Sequence, residues 1–427
     1  MTGPDSKDTM SFMDPTVVTG ARNWAGVRAN HPELVGRLEL GLGHGDPAAD
    51  AVIAEMHELG LTWPQLIAMV ESDSGDLPPA ARRLYVEVST PPPWFDSAVA
   101  RAGARAWWRF GTLQSSTLYQ SLIYGYKAQG FVRPLVATGR LTGQVADRVQ
   151  GTGRWVAEAT TPGSMAPGAP GWVATIRIRL LHALIRDHLV ADRSGTGAPW
   201  DVEEWGVPIN QTYSALTISG GFLALPLIVA HDFGIQYSSA DREAITHLWR
   251  WIGWVIGVDP DLLPTCYAEA QDLFAVAADF ELEPDSDSRD LTRALLREGF
   301  DLRSAMPIPL PGPMISAMDL VMRPLLSSSF SAISTRWVED PVAGKLGLRR
   351  TPLHHLVDVA RPAVRLREVV RVMGFLGSES RVVDRELRTV RRGLGLPPTL
   401  AESAPPTEPS TRTSRIPSPM RLLSRAG

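Results

Sequence analysis

The chain has 427 residues, long enough for two or three domains, and 44% of them are apolar while 21% are charged. This composition is typical of a globular protein and excludes wholesale disorder and collagen-like repeats. Forty-two basic and 46 acidic side chains leave a net charge of −4, which is too close to neutral for an electrostatic nucleic-acid binder. The single cysteine, Cys266, excludes an internal disulfide framework and an iron–sulfur cluster.

The two ends of the chain differ in composition from the region between them. Residues 1–30 are expected to form an irregular arm, and they contain no apolar stretch of the kind that directs export, so a cytoplasmic protein is the expectation. Residues 396–427 are rich in proline, serine and arginine, which predicts a disordered tail. Residues 31–395 are interpreted as one helical domain.

Helical signals follow one another through this domain. Thr62 and Gln65 have the spacing of a capping box, Asp201 precedes an acidic first turn, and Asp259-Pro260 places a cap before a proline at a first helical position. Apolar residues between such caps recur at helical spacing, and no sustained period-two alternation indicates strands. The predicted fold class is therefore all-α.

An uncharged stretch at Val207–Ala230 is long enough to span a membrane. It contains several amides and hydroxyls and two prolines, which favour a buried helix in a large core. We expect no transmembrane segment.

The helix predicted over residues 172–190 carries the clearest chemistry. On one face His182 lies between Arg179, three residues before it, and Arg186, four residues after it. Two nearby cations disfavour protonation of the imidazole and keep a nitrogen lone pair available for a metal. The same spacing also fits a core histidine between arginines in structural ion pairs. The HExxH, GxSxG, P-loop and GxGxxG motifs are all missing from the chain.

Six segments together resemble, in order, the latex-clearing protein (rubber oxygenase)/MpaB family. They are PPPWFD at 91–96, TGRLTGQVADRVQGTGRWV at 138–156, PGAPGW at 167–172, RIRLLHALIR at 177–186, WGVPINQTYSALT at 205–217 and HLWRWIGWVIGVDPDLLP at 247–264. The resemblance implies a globin-like helical core that binds haem b, and an oxygenase that acts with dioxygen on a hydrophobic, isoprenoid-like small molecule.

The resemblance also implies roles for particular residues. His182 matches the family's axial iron ligand, and Arg179 and Arg186 match the arginines that accompany it. Arg148 and Thr152 match a distal pair, and their i, i+4 spacing lets both point at a bound ligand. Thr217 matches the threonine that follows the PINQ motif, and the resemblance implies that it contributes to cofactor binding.

Two positions depart from the family's pattern. Gly151 stands where latex-clearing proteins have an iron-ligating lysine, and Val132 stands where they have a glutamate that is a candidate base. Lys127 is an alternative distal ligand, but it would have to come from another helix. Haem binding is therefore expected, whereas oxidation or dehydrogenation is as consistent with the residues as carbon–carbon cleavage.

Two other classes of function remain open on the sequence. The chain could be a haem-binding sensor or carrier without turnover, which the missing glutamate favours. It could also be a haem-free helical interaction protein.

Overall fold

The computed structural model describes residues 24–72, 76–137, 145–191, 200–279, 284–298 and 312–400. Every regular element in these ranges is helical and none is a strand, so the all-α prediction is confirmed. The α-helices are numbered here in chain order. Those before residue 138 are α1 (Trp24–Asn30), α2 (Pro32–Gly41), α3 (Pro47–Glu58), α4 (Trp63–Glu71), α5 (Pro79–Ser89), α6 (Ser97–Trp107), α7 (Gln114–Gly125) and α8 (Gln129–Ala137).

The remaining helices supply the centre of the fold and its C-terminal part. They are α9 (Val145–Ala159), α10 (Pro170–Val190), α11 (Val202–Trp205), α12 (Gln211–Ala215), α13 (Leu225–Phe233), α14 (Ser239–Val255), α15 (Tyr267–Asp279), α16 (Ser286–Glu298), α17 (Gly312–Ser334), α18 (Asp340–Lys345), α19 (Leu356–Val372) and α20 (Glu379–Gly393). Within the described ranges, 3₁₀ segments occur at Trp108–Leu113, Pro260–Leu262 and Pro352–His355, and a π-helix joins α12 to α13 at Leu216–Ala224.

The core is built by pairs of helices that pack along their lengths. α6 packs on α14, α7 packs on α13, and α10 packs on both α3 and α9. Large aromatic side chains fill the space between these pairs, and those with essentially no exposed surface are Trp107, Trp172, Trp249 and Trp251. Because α10 has neighbours on two sides, its side chains can be oriented from both α3 and α9.

All three predicted helix starts are confirmed. The Gln65 side chain accepts a hydrogen bond from the Thr62 amide at 2.8 Å, and the Asp201 carboxylate accepts one from the Glu204 amide. The third is also confirmed, because Asp259 caps a helix that has Pro260 at its first position, and this helix is a short 3₁₀ segment that ends at Leu262. Pro264 has no amide hydrogen to donate to the carbonyl of Pro260, so an α-helix cannot continue there.

The predicted boundaries need correction at both ends. The arm expected to be irregular to residue 30 contains α1, whose Val27 is buried in the core. The tail predicted from residue 396 begins with residues that are still anchored, since Leu396 packs on the core and the Pro397 carbonyl accepts a hydrogen bond from Arg391. Residues 1–23 and 401–427, to which the rest of these predictions refers, lie outside the described residues.

The uncharged stretch forms a continuous helical segment from Gln211 to Phe233. It is the one described helix that is long and apolar enough to cross a membrane, and 78% of its most apolar window is buried within the protein. This burial agrees with the prediction of a core helix. The segment departs from α-helical geometry over Leu216–Ala224, where it is a π-helix, a widening that is frequent at functional sites.

Candidate functional site

The helices α9 and α10 form an antiparallel pair joined by residues 160–169. The start of α10 lies against the end of α9, because a Cβ added to Gly171 would be 2.6 Å from the carbonyl oxygen of Glu158. One turn further along each helix, Trp155 Nε1 donates a hydrogen bond to Thr175 Oγ1 at 3.0 Å. These contacts fix the register of the pair.

From this register we infer that three of the predicted residues lie at the same level of the helix pair, in what we call the α9–α10 gap. His182 follows Thr175 by seven residues and Arg148 precedes Trp155 by seven, so both lie about 10 Å along the pair on nearly the same faces as the hydrogen-bonded residues. Thr152 lies one turn from Arg148. Trp155 and Thr175 are buried, whereas Arg148, Thr152 and His182 are only half-buried. The two helices are therefore less closely packed at His182 than at their joined end.

The imidazole of His182 is uncharged at neutral pH. Burial, and to a smaller extent the Arg186 guanidinium, lowers its pKa from 6.5 to about 4, although Asp46 acts in the opposite direction. Within the described part of the chain no hydrogen bond, ion pair or ring contact engages this imidazole. A neutral ring with an unused nitrogen is the form that coordinates a metal.

The arginines that flank His182 are both paired with carboxylates at the start of α3. Arg179 donates through Nε and Nη2 to the two oxygens of Asp46, at 2.6 and 2.9 Å. Arg186 Nε contacts the carboxylate of Asp50, at 2.9 and 3.2 Å. Both arginine side chains are buried, so these pairs attach α10 to α3 on either side of His182.

The PINQ motif, residues 208–211, also contacts α10. Arg186 Nη1 donates to the carbonyl of Ile209 at 2.8 Å, and Ile209 has a φ of 51°, a left-handed backbone that is rare for a β-branched residue. The neighbouring Asn210 caps α12 through the Tyr213 amide, and the Gln211 amide group donates to the carbonyls of Gly45 and Gly257. The motif thus links α3, α10 and α12, and it maintains a strained residue at their junction.

The other side of the gap is formed by α9. Arg148 Nη2 donates to the phenolic oxygen of Tyr126 at 3.0 Å, and the Thr152 hydroxyl donates to the Arg148 carbonyl at 2.9 Å. Gly151 is exposed, and a Cβ added there would meet no atom within 4 Å. Val132 is fully buried in the core. Gly151 therefore leaves open space where the family has a lysine. Val132 places a buried apolar side chain where the family has a glutamate.

Thr217 and Lys127 lie elsewhere, at a cavity of about 60 Å³ beside the π-helix. The Thr217 hydroxyl donates to the Tyr213 carbonyl at 2.6 Å. The Lys127 ammonium donates to the Ala278 carbonyl of α15 and lies 4.7 Å from the centre of the Tyr124 ring. No described contact joins either residue to His182.

Sequence reasoning did not identify the partners that orient the site. Asp46 and Asp50 are four residues apart at the start of an apolar helix, which is a usable signal of two carboxylates on one face. Nothing in the sequence indicates which arginines they meet. The sequence does not indicate that Tyr126 is the partner of Arg148, because buried tyrosines are common in helical cores.

Comparison with known proteins connects this geometry to one family. Residues 107–375 match the sequence profile described as "ER-bound oxygenase mpaB/B'/Rubber oxygenase, catalytic domain". A solved structure of latex clearing protein in the closed state is similar to this chain with a TM-score of 0.60 and 20% identity, covering 83% of this chain and 91% of that one. Comparison with curated proteins gives no match.

Proposed function

Because the chain belongs to the family of ER-bound MpaB oxygenases and rubber oxygenases, we propose that it is a haem b-dependent oxygenase acting on a hydrophobic small molecule. The observation that supports this most strongly is the state of His182. Its imidazole is neutral, half-buried and without a hydrogen-bond partner among the described residues, at a gap between two helices. Its ring nitrogens are therefore available to coordinate a metal ion.

The donor set around the gap fits a haem. No group of three or more His, Cys, Asp or Glu side chains in the described ranges could hold a metal ion. A haem requires only one protein ligand, because the porphyrin supplies the other four nitrogens, and His182 would be that ligand. When bound, the haem would supply the dioxygen chemistry, and the protein would supply the axial ligand, the orientation and the polarity of the pocket.

Arg179 and Arg186 would act as positioning residues for His182. Their guanidinium groups are occupied by Asp46 and Asp50 and lock α10 against α3 at one turn on either side of the imidazole. This arrangement favours a role in holding the helix over direct pairing with haem propionates. Partners of this outer kind keep a metal ligand in a single orientation.

Arg148 and Thr152 would form the polar side of the distal pocket. One nitrogen of the Arg148 guanidinium is held by Tyr126, so the remaining N–H groups are pre-oriented. They would stabilise negative charge that develops on a reacting oxygen atom. The Thr152 hydroxyl donates a hydrogen bond to the Arg148 carbonyl, so its oxygen lone pairs remain free to accept one.

The proposed class of reaction depends on the absence of the family's glutamate. The position of the family's candidate base is Val132, which is fully buried and cannot accept a proton. We therefore propose oxidation or dehydrogenation of an apolar substrate in place of cleavage of a polyisoprene chain. The electron donor would come from outside the chain.

The proposal is tested by loading the purified protein with haem and recording absorbance and oxygen uptake. Squalene serves as a short isoprenoid probe and natural rubber latex as a long one. We expect a Soret band, and oxygen consumption that depends on squalene and is abolished in Arg148→Met. A Soret band without any oxygen consumption would identify a sensor or carrier, and a colourless protein that takes up no haem would identify a helical interaction protein.

A further inference from the structure

A second cavity lies on a different face of α9. It has a volume of about 240 Å³, and its lining includes Asp147 and Gln150 near the start of that helix. Its walls are mainly apolar and come from α6, α7, α9, the π-helix and α20, including Trp107, Leu118 and Val390. We call it the α7–α9 cavity. An engineered apolar cavity of about 150 Å³ already accommodates benzene, so this one is large enough for a small organic molecule.

The α7–α9 cavity is distinct from the gap at His182. At about 100° per residue, the lining residues Val149, Gly153 and Val156 lie roughly 80–140° around the α9 axis from Arg148. Phe222 forms part of the wall, and its ring packs edge-on against Trp155, with the ring centres 5.5 Å apart. The side chains of α9 and this aromatic pair thus separate the cavity from the predicted haem pocket.

Two residues that line the cavity each carry a buried polar side-chain atom without a hydrogen-bond partner. Gln114 is 4% exposed and Trp107 is 1% exposed. Gln114 Nε2 donates to Thr117 Oγ1, but Gln114 Oε1 has no donor and Trp107 Nε1 has no acceptor in the structure. Buried polar groups are almost always hydrogen-bonded, and two exceptions at the wall of one cavity indicate that something else satisfies them.

We propose that the α7–α9 cavity is a binding site for a small apolar molecule that carries a hydroxyl group. A hydroxyl both donates and accepts hydrogen bonds, so it complements the Gln114 carbonyl oxygen and the Trp107 indole N–H. The hydrocarbon part of the ligand lies against Leu118, Val156 and Phe222. Because both orphaned atoms are deeply buried, the hydroxyl end of the ligand enters first. This inference does not depend on haem or on the proposed reaction.

The proposal is tested with two probes that differ only in the polar group, cyclohexanol and methylcyclohexane. Their dissociation constants for the full-length protein are measured by ligand-observed NMR. A site with fixed hydrogen-bonding groups discriminates against the analogue that cannot pair with them. We expect the wild type to bind cyclohexanol roughly tenfold more tightly, which corresponds to about 1.4 kcal/mol.

Near-isosteric substitutions locate the site. Gln114→Leu and Trp107→Phe are each expected to reduce the tenfold preference to about threefold or less, and the double variant is expected to bind both probes equally. Either single variant is sufficient if the other does not fold. Ser219→Ala is the matched control, because Ser219 Oγ is also buried without a partner but lines neither cavity. It should retain the full preference.

Equal binding of both probes by the wild type would overturn the proposal, and would show that water alone satisfies the two atoms. A preference that survives in the double variant, or the absence of binding by either probe to the folded protein, would also overturn it.

Discussion

The two carboxylates that hold the His182 helix differ in how deeply they are buried. The Asp46 side chain is 11% exposed and that of Asp50 is 40% exposed. Asp46 also caps α3 by accepting the Ala49 amide, so it serves two partners. Burial raises the pKa of Asp50 above its ordinary value even though Arg186 lowers it, so part of that ion pair's gain is lost to desolvation.

These differences predict unequal effects on stability. Asp46→Asn should lower the free energy of unfolding by about 3 kcal/mol, because it leaves the buried Arg179 with only the half-exposed Glu87, 3.9 Å away, as a counter-charge. Asp50→Asn should lower it by about 1 kcal/mol, because Asp50 is partly solvated. Urea unfolding of the haem-free protein measures both values. An equal or larger loss for Asp50→Asn would contradict the assignment of Arg179–Asp46 as the principal anchor of α10.

The distal side gives a second prediction at the residue scale. With no side chain at Gly151, the iron in the ferric resting protein should have His182 as its one protein ligand and give a high-spin electron paramagnetic resonance signal. Gly151→Lys should convert it to a low-spin signal, because it restores the lysine that latex-clearing proteins have at this position and a Cβ added there meets no atom within 4 Å. Gly151→Leu, of similar bulk without an amine, is the control.

A low-spin wild-type signal with two nitrogen ligands would contradict this prediction. Lys127→Met would then show whether Lys127 leaves the Ala278 carbonyl to bind the iron.

Individual residues were predictable where the pattern itself carries the chemistry. The sequence predicted that two arginines flank His182. It left open that they form structural ion pairs, and this agrees with their contacts to Asp46 and Asp50. Their partners Asp46 and Asp50 lie more than 120 residues away in sequence. Pairing over such a separation depends on tertiary packing, which a single sequence does not encode in any local pattern.

At the scale of elements, the contact between α6 and α14 contains a titratable link. His247 of α14 accepts a hydrogen bond from the amide of Asp96 at 2.9 Å, and Asp96 caps α6. The imidazole stacks on Phe95, with ring centres 5.7 Å apart. Burial lowers the pKa of His247 below its ordinary value, although its interactions with Asp96 raise it. The neutral imidazole is therefore the form that stabilises this contact.

The sign of the pH effect follows from that lowered pKa. In the unfolded chain His247 binds a proton at higher pH than in the folded chain, so its stabilising contribution is present above about pH 6.5 and decreases as the pH falls below that value. The stability advantage of wild type over His247→Phe should shrink between pH 7 and pH 5. Chemical unfolding of both haem-free proteins at several pH values measures it. An advantage that grows on acidification would show that His247 is protonated in the fold.

Elements were predictable where local chemistry decides them. Thr62 with Gln65, and Asp201, start helices because their side chains satisfy free amides within one turn. Asp259-Pro260 has the same local signal, but the proline at 264 limits it to a 3₁₀ segment. The π-helix at Leu216–Ala224 could not be predicted, because its hydrophobic pattern is that of any buried helix.

At the scale of the whole molecule, α9 borders both the α9–α10 gap and the α7–α9 cavity. The α9–α10 gap holds a neutral histidine and a fixed arginine, and the α7–α9 cavity holds unpaired polar atoms in apolar walls. The order of motifs along the sequence was sufficient to indicate the family. The cavity was not predictable, because its lining combines helices that are distant in sequence.

The proposed function depends most directly on His182 as the haem ligand. His188 lies six residues later, about 240° around the α10 axis, so it cannot replace His182 without unwinding the helix. His247 is engaged by Asp96 on α14. Haem content is therefore expected to depend on one histidine alone.

The decisive measurement is haem stoichiometry, by pyridine haemochrome absorbance, in wild type, His182→Ala, His188→Ala and His247→Ala. Circular dichroism first establishes that each variant is folded, because the substitution also removes a partly buried side chain. We predict near-zero or loosely held haem in His182→Ala and wild-type content in the other two variants. A folded His182→Ala protein with stoichiometric haem and an unchanged spectrum would contradict the proximal assignment and the function proposed from it.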